Sequence, residues 1–391
     1  MSKLKQIEIK NFRSLAEIKL ETSILNVLFG PNGAGKSAFL DTLWFIRDCA
    51  IRGADQASSD RSHGIGLMWE RADMGTDISV KIETISAEYE VILGYSSGRI
   101  ETFVGERLLS KNENILLMNR KIGSDKAIVY DSSMNTFTLR EPEKLALTPY
   151  RSLTENSVAA EIDELLRRMD FFYARYFNFY GLRRFGSESD RHISLWDRAQ
   201  NLWSVLRNLK DRREVDNRYD TVIRFMRKSF PSFRELLIEQ IGQNVVYGNF
   251  LEENRRNPIR ASGVSDGHLQ MLILLTALFS EENQERLILF DEPETSLHPY
   301  AISVFAEAVK FATEQCNRQI FIATHSPVLL SQFEPQNIIA VEIGENGCTM
   351  MKRVSEMKSI GDLLEQYAAG SLYMAEMIAP QSKRLTEEEI G

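Results

Sequence analysis

Apolar and polar positions alternate from the start of the chain. Ile7 and Ile9 alternate with Glu8 and Lys10, and Ile18 and Leu20 flank Lys19, so residues 4–20 read as two short strands around the turn Asn11-Phe12-Arg13-Ser14. A third apolar run, residues 24–29, stops at Gly30-Pro31-Asn32-Gly33. From 37 to 47 the spacing becomes helical, with Leu40, Leu43 and Trp44 on one side. Between 78 and 139 the segments ISVKIET, YEVILGY and KAIVYD are separated by Gly, Ser and Asn clusters, which predicts an antiparallel meander. From 151 to 239 apolar residues recur at three- and four-residue steps in EIDELLRRMDFFYARYF and NLWSVLRNLKDRREVDNRYDTVIRFMRKSF, predicting helices. After Ala261 the pattern predicts a helix at 269–278, a strand at 287–290, a helix at 300–313 and a strand at 320–323. Strands alternating with helices imply a parallel sheet. The expected fold class is α/β: an N-terminal lobe at 1–150, an arginine-rich helical insertion at 151–240, a C-terminal lobe at 241–380 and a polar, frayed tail at 381–391.

Composition narrows the class. With 391 residues, 43% hydrophobic and 26% charged, the chain can bury a sizeable core, and disorder and collagen are excluded. A formal charge of -8 means that the surface as a whole repels nucleic acid, so any DNA contact must be local. The pairs Arg167-Arg168, Arg183-Arg184 and Arg212-Arg213 are the place to look. Asp163, Glu164, Asp211, Glu214 and Asp216 lie beside them, however, and the plainer reading is a helix surface laced with ion pairs, since phosphate binding needs uncompensated charge. Cys49, Cys316 and Cys348 are far apart and odd in number, which fits a reducing compartment. The longest apolar run, 271–279, is about half a membrane span, and MSKLKQIEIK is neither signal nor transit peptide. A cytoplasmic protein with no membrane partner is expected.

Four segments carry chemistry. Gly30-Pro31-Asn32-Gly33-Ala34-Gly35-Lys36-Ser37 satisfies G-x-x-x-x-G-K-[ST]. Its glycines let backbone N–H groups curl around a β-phosphate at a helix N-terminus, Lys36 would reach the β- and γ-phosphates, and the Ser37 hydroxyl would complete a Mg²⁺ shell. The strand before Asp291-Glu292 is apolar on both faces, so these carboxylates fall at the C-terminal edge of a parallel sheet, where ligands bind. Asp291 is placed to hold Mg²⁺ through water, and Glu292 to orient or deprotonate an attacking water. Ser265-Asp266-Gly267 opens an apolar helix and reads as a second phosphate-binding turn, or alone as a simple N-cap. A last strand runs into Thr324-His325-Ser326-Pro327 and puts His325 at the sheet edge.

These segments, in this order, resemble the ATP-binding-cassette type ATPases of the RecF, SMC and OLD group, often labelled AAA family ATPases. The likeness runs through IEIKNFRSL, FGPNGAGKS, SLWDRAQNLWSVLRNL, GVSDGHLQ, LILFDEPETSLHP and ATHSP. It implies a P-loop ABC-type head in which residues 30–37 and Ala38 bind ATP, with Arg13 near the nucleotide. It also implies that Ser265, Asp266 and Gly267 touch the γ-phosphate bound by the opposite protomer, so that a homodimer sandwiches two ATP molecules. Ser296, Leu297 and His298 would link the two sites, and His325 would sense the γ-phosphate. The chain departs from the pattern in three ways. The insertion is too short for a coiled-coil arm. About fifty residues follow Ile343, too few for a Toprim nuclease, and no glutamine occurs between Gln56 and Gln200 to serve as the Q-loop residue.

The leading expectation is a Mg-ATPase switch or motor in DNA repair or antiphage defence, with a separate effector, either a nuclease or a toxin. One alternative is a stand-alone repair ATPase that binds DNA through the arginine-rich helices. Another is a non-hydrolysing ATP-bound scaffold that holds a partner toxin or nuclease inactive. A transporter subunit fits the opening and the SDG turn less well, and no Asn-Lys-x-Asp motif marks a GTPase.

Overall fold

In a computed structural model, all residues are described except 1–2, 62–63, 74, 102, 131–134, 155, 282–284, 345, 358–367, 376 and 380–391. The tail expected at 381–391 lies outside the described residues. Two compact units emerge, the first from Met1–Met169, Gln336–Asp362 and Ala375–Gly391, the second from Asp170–Pro335 and Leu363–Met374.

The first unit contains the expected hairpin and meander in one sheet. Strands β1 (Gln6–Phe12) and β2 (Leu15–Glu21) pair antiparallel with Ile7 opposite Leu20 and Ile9 opposite Ile18, placing the apolar set on one face. The sheet continues through β4 (Ile78–Glu83), β5 (Ala87–Leu93), β8 (Gly105–Ser110), β9 (Ile115–Arg120), β10 (Lys126–Val129) and β11 (Asn135–Thr138), in the order β11-β10-β9-β8-β5-β4-β1-β2. Every neighbouring pair is antiparallel. A small ribbon, β6 (Tyr95–Ser96) with β7 (Arg99–Ile100), stands apart from it. Strand β3 (Leu25–Phe29) is wholly buried and pairs in parallel with β19 (Ile338–Ile343), which pairs antiparallel with β20 (Thr349–Arg353). Helix α1 (Lys36–Arg52) buries Phe39, Leu40, Leu43 and Ile46; Trp44, expected on the same side, is half-buried under the Arg47 guanidinium. Short helices α2 (Ala54–Ser59), α3 (Leu147–Thr154) and α4 (Ser157–Arg167) complete this unit.

An ion pair lies inside it. Glu106 and Arg120 face each other across β8 and β9 with both side chains fully buried and Nη1 3.1 Å from Oε1. Burying two charges is costly unless every polar atom is satisfied. Here Glu106 also accepts from Tyr89 Oη and from the amides of Ala146 and Leu147 at the N-terminus of α3, while Arg120 donates to the carbonyls of Ser124, Pro142 and Lys144. Glu106→Ala is therefore expected to destabilise the protein by about 3–5 kcal/mol, checked by denaturant unfolding.

The second unit holds the α/β texture. Strands β12 (Met169–Tyr173), β17 (Arg286–Asp291) and β18 (Arg318–Thr324) lie in that order, β17 and β18 in parallel. Helix α8 (Asp266–Phe279) is buried along nearly its whole length from Gly267 onward, which accounts for an apolar run without a polar face. It packs with α7 (Arg218–Ser229) and α9 (Pro299–Gln315), where the Phe225 and Phe279 rings stack at 5.6 Å. Helices α5 (Phe179–Arg184), α6 (Leu202–Asp211) and α10 (Pro327–Leu330) belong to the same unit. So do strands β13 (Ser187–Glu188), β14 (Phe233–Ile241), β15 (Val245–Glu252) and β16 (Ile259–Arg260).

Two pieces read as helical are strands. Helix α4 ends at Arg167 and MDFFY becomes β12, because Phe172 stacks on Phe290 of β17 at 5.7 Å. Packing of a half-buried strand outweighs local helical spacing. Likewise Phe233–Ile241 pairs with β15 rather than continuing α7. Of the arginine pairs, Arg167 bridges Asp163 at 2.8 Å, Arg168 reaches Glu164 at 3.8 Å, and Arg213 bridges Asp220 at 2.6 Å, as the plainer reading of this segment expects.

Candidate nucleotide site

In the first unit, the glycine loop joins β3 to α1. Gly35 caps the helix with φ 107°, a left-handed conformation, and leaves the N-terminal N–H groups of α1 without a capping side chain. Such an end attracts anions. The loop is buttressed from a distant part of the chain. Thr349 of β20 donates to the Ala34 carbonyl at 2.9 Å and lies 2.8 Å from Ser14 Oγ, while its amide donates to the Ser14 carbonyl. A Cβ on Gly35 would stand 2.1 Å from Thr349 Oγ1, so this position admits no side chain. Strain of this kind costs about 1–3 kcal/mol; Gly35→Ala is expected to weaken binding of a fluorescent ATP analogue by about tenfold or more, read by titration. Lys36 is almost entirely buried and folds back to donate to the carbonyls of Gly30 (2.7 Å) and Pro31 (2.9 Å). Asn32, Gly33 and Ser37 are exposed, and Ala34 is buried. Arg13 has φ 51° and ion-pairs through Nη2 with Asp41 of α1 at 2.8 Å, an aspartate that Arg61 also holds.

In the second unit, β17 ends on Asp291, which is 1% exposed. Glu292 follows with φ 52°, its amide bonded to the Ala323 carbonyl at 2.9 Å. A non-glycine residue held there marks a place where the surroundings fix the backbone. Glu292 Oε2 accepts from Arg175 Nε at 2.6 Å, and Oε1 lies 3.7 Å from His325 Nδ1. The same imidazole nitrogen is 3.7 Å from Glu294 Oε1, and that oxygen accepts from the Thr324 hydroxyl at 2.6 Å and the His325 amide at 3.2 Å. Glu292 and His325, singled out in sequence, are thus neighbours. Glu294 and Arg175 were not singled out. Glu294 could have been found as the second glutamate of Asp-Glu-Pro-Glu, whereas Arg175 sits in the segment read as helix.

The Ser-Asp-Gly turn belongs to the same unit. Ser265 precedes α8, and its hydroxyl lies 2.8 Å from His268 Nδ1 rather than capping the helix. His268 stacks on Phe230 at 3.9 Å, and burial pulls its pKa below the usual histidine range. Asp266 is ion-paired with Arg183 of α5 at 2.6 Å, and Arg183 also donates to the Val264 carbonyl. Gly267 runs close to the Ser296 carbonyl: a Cβ on Gly267 would lie 2.8 Å from that oxygen. Ser296 has φ 65°, the Leu297 amide donates to the Glu294 carbonyl, and His298 Nδ1 accepts from the Tyr300 amide to cap α9. The turn and the Ser296-Leu297-His298 loop therefore meet within one chain.

Among the described residues no group of three or more His, Cys, Asp or Glu could hold a metal alone. In the first unit Ser37 offers a hydroxyl and in the second Asp291 offers a carboxylate, each a hard oxygen of the kind that Mg²⁺ takes while filling its shell with water and substrate phosphates. Bound Mg²⁺ would neutralise charge on the phosphates.

The family model described as "AAA domain, putative AbiEii toxin, Type IV TA system" (AAA_21) matches residues 25–331. The chain belongs to this family. Endonuclease GajA of Bacillus cereus (strain VD045) is 23% identical to this AAA_21 protein over 363 residues, covering 88% of this chain and 59% of GajA. Old nuclease of Escherichia phage P2 is 34% identical over 126 residues, 30% of this chain and 20% of that protein. Protein ea59 of Escherichia phage lambda is 39% identical over 69 residues, 18% of this chain and 13% of that protein. The chain thus spans less than two thirds of the length of each of these relatives. Among solved structures, an SMC head bound to the C-winged helix domain of ScpA superposes with TM-score 0.55 at 14% identity, covering 91% of this chain and 99% of that one. An SMC head with an extended coiled coil, bound to the C-terminal domain of ScpA derived from Pyrococcus furiosus, gives TM-score 0.53 at 13% identity, covering 94% and 100%. The AAA_21 protein has the P-loop ABC-type ATPase fold of SMC heads, and the expected kinship with OLD-type ATPases is borne out. No helix among the described residues is long and apolar enough to cross a membrane.

Proposed function

We propose that this chain binds Mg-ATP through residues 30–38, hydrolyses it slowly, and uses the cycle to dimerise and release. Asp291 and Ser37 supply the metal ligands, Glu292 activates the attacking water, and His325 senses the γ-phosphate. Ser265, Asp266 and Gly267 then engage the nucleotide of a second copy, and Ser296, Leu297 and His298 couple the two sites. The observation that carries this reading is Glu292, held in left-handed backbone directly after Asp291 with its Oε1 facing His325 at 3.7 Å. A carboxylate at the end of a buried strand beside a protonatable ring is the arrangement that water activation calls for. That two relatives are named as nucleases supports a DNA-directed task or control of a nuclease effector in defence or repair. Phosphate release, with light scattering in the presence and absence of Mg-ATP and linear duplex DNA, tests the proposal. A protein that binds no ATP, or whose mass ignores it, overturns it.

The second reading, an ATP-bound scaffold that holds a toxin or nuclease silent, draws on the Arg175–Glu292 contact, since a guanidinium occupies one oxygen of the carboxylate. Turnover too slow to measure, with stable ATP binding, would select it.

A further inference from the structure

We propose that Arg175 is a positioning residue for Glu292, an inference that rests on the reading of Glu292 as the water-activating carboxylate. Strand β12 lies next to β17, and the stacked rings of Phe172 and Phe290 fix the two strands near their ends. A single 3₁₀ turn, Ala174–Tyr176, follows β12 and carries Arg175 to the point where Glu292 leaves β17. The rings of Tyr173 and Tyr176 meet edge to face at 4.6 Å on either side of it in sequence, which holds the turn.

The contact is specific in its atoms. Arg175 Nε donates to Glu292 Oε2 at 2.6 Å, a charge-assisted hydrogen bond, while Oε1 remains directed at His325. One oxygen is thereby committed and the other aimed. The arginine side chain is 58% exposed against 12% for the glutamate, so Arg175 is no part of the packed core and its removal leaves no cavity. Glu292 already has its backbone fixed by the bond to Ala323, and what Arg175 adds is the orientation of the carboxylate. Holding a reacting group within a narrow angular range is worth a large factor in rate, whereas substrate affinity depends on other groups. Oε1 approaches His325 Nδ1 to 3.7 Å, and this approach is kept only if the carboxylate does not rotate.

The test is steady-state ATP hydrolysis by the full chain carrying Arg175→Ala, Arg175→Gln or Arg175→Lys, with Glu292→Gln as reference. Arg175→Ala and Arg175→Gln should lower kcat by about tenfold or more with KM unchanged. Arg175→Lys should retain part of the rate, and added guanidinium at millimolar concentration should restore part of the activity of Arg175→Ala. In the Glu292→Gln background, Arg175→Ala should have no further effect. If Glu292→Gln is inactive while Arg175→Ala keeps or exceeds the wild-type kcat, the positioning role is wrong and the arginine is ornamental or inhibitory. If Glu292→Gln itself turns over normally, or the wild type binds Mg-ATP without turnover, the underlying assignment of Glu292 fails, and this inference with it.

Discussion

Glu292→Gln is expected to reduce ATP turnover by about 10²–10⁴-fold while preserving ATP binding, and to accumulate a nucleotide-bound dimer. The amide is nearly isosteric with the carboxylate, so the left-handed backbone and the bond to the Ala323 carbonyl persist. What is lost is the capacity to accept a proton from water. The exchange also removes the negative charge that assists the bond from Arg175, which the amide oxygen can still accept, and water solvates the half-exposed guanidinium, so stability should change little. Because ATP would no longer be consumed, any contact that a second copy makes with the γ-phosphate persists. Light scattering should then report a doubling of mass with Mg-ATP that the wild type shows only transiently. Asp266 bears on that step: in the single chain it is held by Arg183 at 2.6 Å, so the turn must trade this ion pair for its partner's nucleotide. An inactive Glu292→Gln protein that remains a monomer at saturating ATP would separate hydrolysis from dimerisation and remove the sandwich from the proposal.

The parts of this architecture legible in sequence are those in which one physical signal dominates. Strands β4 and β5 bury every second residue throughout, and β1 and β2 do so at Ile7 and Ile9 and at Ile18 and Leu20, so alternation alone places them. The glycine loop was legible because its conformation restricts the residues that can form it, as Gly35 illustrates. Strand β12 was not: in EIDELLRRMDFFYARYF the apolar residues satisfy both periods, and only the neighbouring strand β17 decides between them. Misplacing β12 hid Arg175, whose meaning lies entirely in a glutamate 117 residues away. The same holds for Thr349 and Ser14, which brace the phosphate loop across 335 residues of chain. A hydroxyl on an edge strand has no sequence mark. Acidic and basic runs were read correctly where partners are local, as in Asp163 with Arg167 four residues on, and Arg183 escaped that logic because its partner, Asp266, is remote.

Lys36→Ala should have the other large effect, abolishing measurable hydrolysis and weakening ATP binding together. Removing one preorganised electrostatic donor from a phosphoryl-transfer site costs about 3 kcal/mol or more of transition-state stabilisation, at least a hundredfold in rate. The geometry here adds a second cost. Lys36 is only 6% exposed and its ammonium bridges the carbonyls of Gly30 and Pro31, so the same side chain that would meet the phosphates also braces the loop. Alanine leaves those carbonyls without that donor and lets the loop relax toward α1. Lys36→Arg should fare little better, because a planar guanidinium cannot present a compact charge to both carbonyls in the space that encloses the ammonium. The distinction from Glu292→Gln is the useful readout: Lys36→Ala should lose fluorescent-ATP binding, and with it any ATP-dependent mass increase, whereas Glu292→Gln keeps both. Equal ATP affinity in the Lys36→Ala and wild-type proteins would show that the nucleotide is held elsewhere, and would end the assignment of residues 30–38 as its cradle.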